Sequence, residues 1–376
     1  MAPRPAIAIF VFDLSATGVV RNALALAGAL ARDHAVTVVA CRGGAMAQLP
    51  PGVRLVDLGG GARIGAAALP GLGLALRRHI ALTRPPVAIS AGNRGHPLFL
   101  AALKGLRGVR RIYRFSNDID HARGATSKGA LTRLGDAAQL ALLTADADRI
   151  VLVSAHLLGD PRLAATHARG QAVVIENGVD VDRIRARAAA PCPHRFAAPG
   201  APPFVLGIGR LSEQKNFATL IDAVGLARAT RPLNLLILGD GPQRDALVAR
   251  AAAAGLGDAF DLPGVVDNPF AFLVRAGTFA LPSWWEGASN VLLEALACGT
   301  PIVASATAGN ACAVLGEGRY GVIAEPGDAH AWAAALLRQT GGDRVLPGDR
   351  ADAYRLDDTL AAWRALVAGE LSVASR

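Results

Sequence analysis

LPSWWEGASNVLLEALACGTPIVAS, Leu281 to Ser305, reads as strand, loop, helix, turn and strand in that order. Gly287, Ser289 and Asn290 feed the helix, and a loop of small and polar residues entering a helix N-terminus is a ready anion site. Val291, Leu292, Ala295, Leu296 and Cys298 give the helix an apolar face, so Glu294 lies close to buried surface. Carboxylates there need a partner; one reading of Glu294 is an acid complementing the helix dipole. Glu286 stands in the loop, with seven residues between the two acids. Gly299 stops the helix and Pro301 opens the next strand.

Outward from this stretch the alternation continues both ways. Towards the N-terminus, strand Phe204–Gly209, helix Phe217–Ala229, strand Leu233–Leu238 and helix Gln243–Ala254 precede it. Helices over Ala329–Arg338 and from about Ala351 to Gly369 follow it. The first half alternates likewise, from a doubly buried strand at Pro5–Phe12 to a last one at Val173–Glu176. Repeated strand-helix alternation predicts parallel sheets covered on both faces.

Asn177-Gly178 punctuates the end of the first series. Ala188–Pro203 holds five prolines and is the expected linker. The expected layout is a first domain over 1–187, a linker over 188–203, a second domain over 204–350, and a C-terminal helix over 351–376 packing back on the first domain. The fold class is α/β: two doubly wound Rossmann-like domains facing across a cleft, with ligands at strand C-terminal ends.

Composition narrows the function. At 376 residues and 52% hydrophobic, the chain suits a two-domain globular protein. The run Ile64–Leu76 contains Pro70 and is shorter than the roughly 20 residues a membrane span needs. MAPRPAIAIFVFD has too short an apolar core for a signal peptide. Cys41, Cys192, Cys298 and Cys312 have no metal-like spacing and read as reduced thiols of a cytoplasmic protein. The net charge of +9 is uneven: residues 1–150 hold 19 Lys/Arg against 8 Asp/Glu, the remainder 20 against 22. Lys104, Arg107, Arg110, Arg111 and Arg114 form the densest cluster, with Arg77 and Arg78 beside it. Such a cluster suits an anionic lipid surface or a phosphorylated acceptor, and equally an ordinary solvated face. No nucleic-acid-binding module accompanies the charge.

The second chemical constellation is GIGRLSEQKN, Gly207–Asn216. Arg210 ends a buried strand and Lys215 opens a helix five residues on. Two cations at the mouth of a parallel sheet suit a diphosphate. LILGDGP, Leu236–Pro242, reads as turn chemistry and scaffold. Asp118-Ile-Asp120, Asp146-Ala-Asp148 and Asp180-Val-Asp182 are three DxD triplets, and their number shows how little the pattern means; no metal is expected.

Leu281–Ser305 resembles the donor site of the family 4 retaining glycosyltransferases, which have the GT-B fold. Glu286 and Glu294 stand as its E-x7-E pair, and Gly207–Asn216 resembles its GRL-x3-K segment. The resemblance implies donor contacts at Gly209, Arg210, Lys215, Glu286, Gly287, Ala288, Ser289, Asn290 and Glu294. Arg210, Lys215 and Glu286 would be catalytic: the cations on the pyrophosphate, Glu286 on the donor sugar, Glu294 on the ribose. LPGVVDNP, Leu262–Pro269, resembles the base-contacting segment, with Gly264 and Val265 as contacts. Glu176–Asp180 resembles the family's PNGVD segment. The first half departs from the pattern. Its first loop, Ser15–Val19, has only Gly18 where the family has a Gly-Gly pair, and Ser116-Asn117-Asp118 replaces a common histidine. Gly18, Asn117 and His121 are the candidates for acceptor or phosphate contact.

The resemblance implies transfer from a nucleotide-diphosphate sugar, UDP-sugar favoured, to a glycan or lipid-linked acceptor in cell-surface polysaccharide or glycolipid synthesis. No cofactor beyond the co-substrate is expected. The expected place is cytoplasmic, peripheral at the inner membrane face if the basic cluster meets anionic lipid. A nucleotide-sugar epimerase on the same fold and a non-catalytic nucleotide-sugar-binding partner are the competing readings.

Overall fold

A computed structural model describes residues 4–15, 17–42, 49–60, 64–117 and 130–374, without the side chains of 130–133. The chain divides into two compact units, residues 1–177 with 358–376, and residues 178–357.

The first unit is built on seven strands: β1 (Ala6–Asp13), β2 (Ala35–Arg42), β3 (Val53–Asp57), β4 (Val87–Ser90), β5 (Arg110–Phe115), β6 (Arg149–Leu152) and β7 (Ala172–Val174). They form one sheet in the order β3-β2-β1-β4-β5-β6-β7. Every pairing is parallel. The winding reverses between β1 and β4, where Ile7 lies beside Val87. Ile7, Ile9, Val36, Val38 and Ile89 are buried in one core cluster, as their continuous apolar runs require of central strands. Trp363 and Val367 of the last helix, Leu356–Ala374, belong to that cluster.

The second unit has six strands: β8 (Phe204–Ile208), β9 (Asn234–Leu238), β10 (Phe260–Gly264), β11 (Thr278–Leu281), β12 (Ile302–Ser305) and β13 (Val322–Ala324). Their order is β10-β9-β8-β11-β12-β13, again all parallel. Here the winding reverses between β8 and β11, with Leu206 beside Phe279. Chain reversals of this kind open a crevice at the carboxyl ends of the two strands.

Two expectations are corrected. Residues 188–203 are not a linker. They belong to the second unit, where Phe196 is buried in its core and His194 Nε2 lies 3.1 Å from Asp261 Oδ2. The prolines there shape turns on a segment pinned by its aromatic and histidine side chains. The helix Val181–Ala188 also belongs there, packed through Val181, Ile184 and Ala188. The chain changes unit at Asn177-Gly178 and again at Asp357-Asp358.

The densest basic cluster is in large part internal. Arg110 reaches Glu370 at 2.5 Å and Asp148 at 2.6 Å, Arg111 pairs with Asp146, and Arg114 is buried with Nη2 donating to Asn177 Oδ1 at 2.7 Å. Burial pulls the Arg114 guanidinium down to about 10. Among the described residues no helix is long and apolar enough to cross a membrane.

Candidate functional site

The β8–β11 reversal of the second unit gathers the predicted chemistry. Arg210 and Lys215 follow β8, and Glu286 follows β11, so residues some seventy positions apart in sequence meet at one sheet edge. Lys215 Nζ donates to Glu286 Oε1 at 2.5 Å. Both side chains are largely buried. Two further residues hold the carboxylate. Ser283 Oγ donates to the same oxygen at 2.8 Å, and Gln214 Nε2 lies 3.5 Å from Oε2 while donating to Trp285 O at 2.9 Å. A largely buried ion pair is tolerable only with such additional bonds. Neither Ser283 nor Gln214 was singled out in the sequence, although both lie inside the quoted motifs.

Glycines let these loops interlock. Gly209 has φ 156° and donates to Leu238 O at 2.9 Å. A Cβ on Gly239 would fall 1.8 Å from Gly209 O, and one on Gly241 2.4 Å from Leu211 O. Leu211 N–H donates to Asp240 O, and Gln243 N–H to Leu211 O. The GDGP turn therefore clamps the Arg210 loop against β9, which gives its scaffold role a physical content. Lys215 closes a short 3-10 turn, and Asn216 takes a left-handed φ of 49° before the helix Phe217–Arg228.

Arg210 is exposed, and among the described residues no carboxylate pairs with it. A guanidinium five residues before Lys215, in the same loop as a fixed ammonium-carboxylate pair, suits an anionic ligand. Beyond Glu286, Gly287 is buried and Ala288 half-buried. Ser289 precedes the helix Asn290–Ala297 without capping it, and its buried Oγ has no hydrogen-bond partner. The first N–H groups of that helix thus lack a side-chain cap, at the positive end of the helix dipole. A Cβ on Gly309, at φ 60°, would lie 2.5 Å from Glu286 O and 2.8 Å from Gly287 O, so the loop after β12 packs directly on this backbone.

Glu294 is buried in the helix at 5% exposure. Burial, with the Glu294 charge added, pushes the Cys298 thiol up to about 12, so it stays protonated at neutral pH. Gly264 ends β10 at φ 95°, and Val265 beside it is 79% exposed.

The first unit's candidates fare differently. Gly18 begins the helix Gly18–Leu30, whose N-cap Thr17 accepts from Val20 N–H at 3.4 Å. One donor of this helix terminus is thus satisfied by a side chain. Asn117 accepts from Asn93 Nδ2 through its carbonyl at 3.3 Å, and its Oδ1 is buried without a partner. His121, with Asp118 and Asp120, lies outside the described residues. The structure brings His96 into view instead: it is buried against Ser90 Oγ at 2.7 Å and held near pKa 3 by burial. Among the described residues no cluster of His, Cys, Asp or Glu has the makings of a metal site.

Two parallel doubly wound sheets, one with a cation-carboxylate constellation at its reversal, are the architecture of the GT-B glycosyltransferases. Solved structures agree on the fold: sucrose-phosphate synthase from Thermosynechococcus elongatus matches at a TM-score of 0.81 and 21% identity over 98% of this chain and 100% of that one. HepE from Anabaena, solved with UDP and glucose, matches at 0.77 and 17% over 97% and 100%. The model "Glycosyltransferase Family 4" matches residues 16–183 and "Glycosyl transferases group 1" matches residues 202–340. The chain belongs to this group 1, family 4 set of glycosyltransferases. Among its relatives, the Campylobacter jejuni N-acetylgalactosamine-N,N'-diacetylbacillosaminyl-diphospho-undecaprenol 4-alpha-N-acetylgalactosaminyltransferase is 37% identical over 32% of this chain and 33% of its own length. The lipopolysaccharide core biosynthesis glycosyltransferase LpsE of Rhizobium meliloti is 33% identical over 38% and 41%. The chain thus spans about a third to a half of the length of the first curated relatives it matches.

Proposed function

We propose that this protein is a glycosyltransferase of polysaccharide or lipopolysaccharide-type synthesis. It takes a sugar from a nucleotide-diphosphate donor, a UDP-sugar by preference, and passes it with retention to a glycan or lipid-linked acceptor. The observation that carries this reading is the Lys215–Glu286 pair at the β8–β11 reversal, in the loop that also holds Arg210, with which no described carboxylate pairs. The names of the two relatives quoted above support the polymer and lipid context.

In the proposed reaction the bond from the anomeric carbon to the diphosphate oxygen breaks, and an acceptor hydroxyl oxygen bonds that carbon on the same face. The hydroxyl proton passes to the departing diphosphate. Negative charge grows on the leaving oxygen, and Arg210 and Lys215 hold it in this reading. Glu286, fixed by Ser283 and Lys215, accepts hydrogen bonds from donor-sugar hydroxyls, and Glu294 binds the ribose. The nucleoside diphosphate takes the helix N-terminus at Ser289–Asn290, with its base at Gly264 and Val265. In this reading the two cations supply the charge neutralisation that a metal would otherwise provide.

Calorimetric titration of UDP, GDP and ADP into wild type and into Arg210→Ala/Lys215→Ala protein tests the reading. It expects one nucleotide to bind and the variant to lose it. Failure of all three to bind folded wild type would overturn the donor assignment.

A further inference from the structure

The first unit carries an apolar groove that the reaction above does not use. It lies between the helices Leu69–Thr83 and His96–Leu103 and has a volume of about 560 Å³. Leu69, Leu74, Pro97, Leu98 and Ala101 line it, with Phe12 at the end nearest the carboxyl edge of β1. Leu74 is 49% exposed, and Pro70, Pro97 and Ala101 are exposed with it. The helices approach closely along it: a Cβ on Gly73 would lie 3.2 Å from Leu98 Cδ1. Contiguous exposed apolar surface in a concave setting marks a binding site more often than a bare face.

The segment that builds the groove's two helices carries charge of one sign. No Asp or Glu occurs between Asp57 and Asp118. Arg94 at one end stacks on Phe12 at 4.3 Å and is matched by Asp13 at 3.0 Å. At the other end Arg77 Nη1 donates to Ala102 O at 3.0 Å and to Lys104 O at 2.7 Å. These bonds fix the guanidinium at the groove wall but leave its charge uncompensated. Among the described residues no carboxylate pairs with Arg77, Arg78, Lys104 or Arg107. Arg78, Lys104 and Arg107 are exposed. An apolar trough that ends in unneutralised cations is complementary to one kind of molecule, an apolar chain ending in an anion.

We propose that this groove binds one long-chain lipid phosphate, its apolar chain along Leu74, Leu98 and Ala101 and its phosphate against Arg77 and Lys104. That this lipid is the acceptor rests on the transferase reading; that it binds here does not.

Farnesyl phosphate, kept below its micelle concentration, is the probe. Calorimetry expects saturable binding of one molecule per chain, at least about tenfold tighter than farnesol, which lacks the charge-assisted bonds, and no measurable heat from inorganic phosphate. Ala101→Trp fills the groove from an exposed position and is expected to weaken farnesyl phosphate about tenfold or more. Lys104→Glu is expected to weaken it about fivefold. Both variants should melt as wild type does and bind nucleotide as wild type does. Unchanged farnesyl phosphate affinity in Ala101→Trp overturns the proposal. So does binding only to phosphatidylglycerol vesicles and not to the monomer, which makes the face a bilayer contact. Farnesyl phosphate binding without nucleotide binding upholds the groove and defeats the donor reading.

Discussion

The two units share one topology and differ at its most informative point. In each, an ion pair crosses the place where the strand order reverses. At β1–β4 it is Arg94 with Asp13 at 3.0 Å, the arginine side chain 71% exposed. At β8–β11 it is Lys215 with Glu286 at 2.5 Å, with side-chain exposures of 14% and 10%. The first is solvated on its arginine side, and among the described residues its carboxylate is held otherwise only by the neighbouring Ser15, so the pair itself is of small energetic value. The second is desolvated and supported by Ser283 and Gln214, and its loop also carries Arg210, with which no described carboxylate pairs. Topology provides the crevice in both units, but only burial of both partners, with hydrogen bonds from more than one segment, turns a crevice into a rigid charged site.

That contrast can be broken experimentally. The largest effect is expected at Lys215 and Glu286. In the proposed reaction Lys215→Met removes a cation from the developing leaving-group charge, and it is expected to lower kcat by about 10² to 10³ in a transfer assay. The same change strands a largely buried carboxylate and should cost about 3 kcal/mol in urea unfolding, part of it recovered by adding Glu286→Gln. Wild-type turnover in the single variant would erase the distinction between the two crevices.

Glu370 comes next. It is 2% exposed and joins Arg110 and Arg149, at 2.5 and 3.0 Å, to the last helix. Glu370→Ala is expected to cost the first unit about 3 kcal/mol. Hydrogen exchange should show faster opening over 358–374 and no change over 204–305. Faster exchange in both would mean the units do not open separately.

A pH effect of middling size belongs to the first unit. His96 is lowered from its ordinary 6.5 to about 3, chiefly by burial. The unfolded chain therefore binds the proton first as pH falls. The stability from keeping His96 neutral is complete above pH 6.5 and is lost progressively as pH falls towards 3. Between pH 6.5 and 5 the loss should be about 1 to 2 kcal/mol. The urea midpoint of the first unit should follow this slope, and His96→Asn should flatten it.

The smallest effect is expected at Asp13. Asp13→Asn should change stability by no more than about 1 kcal/mol, and less at high salt. A larger loss would show that the β1–β4 pair is as well built as its counterpart.

Much of the fold was legible in the sequence because strand and helix periods are local. Strand Phe204–Ile208 and helix Phe217–Arg228 each end one residue short of the expected bounds, and strand Asn234–Leu238 begins one residue late. The short helix His96–Leu103 escaped notice because it is apolar nearly all round and so lacks a face. β10 escaped because Leu262-Pro263-Gly264 reads as a turn; the strand is an edge, where a proline is tolerated. The linker at 188–203 was misread because proline content reports local backbone preference and not what Phe196 and His194 pack against. The ion pairs inside the basic cluster were not legible for a related reason: Glu370, which takes up Arg110, lies 260 residues away.

By itself, then, the sequence determined the α/β class, the two-part organisation and the chemical identity of Arg210, Lys215, Glu286 and Glu294, since these rest on residue type and short spacing. Only the tertiary structure decided that Lys215 meets Glu286, that Ser283 and Gln214 hold them, and which arginines of the first unit stay unpaired. Such facts depend on strand order and on burial. Both are set by contacts between segments far apart in the chain, which no local pattern records.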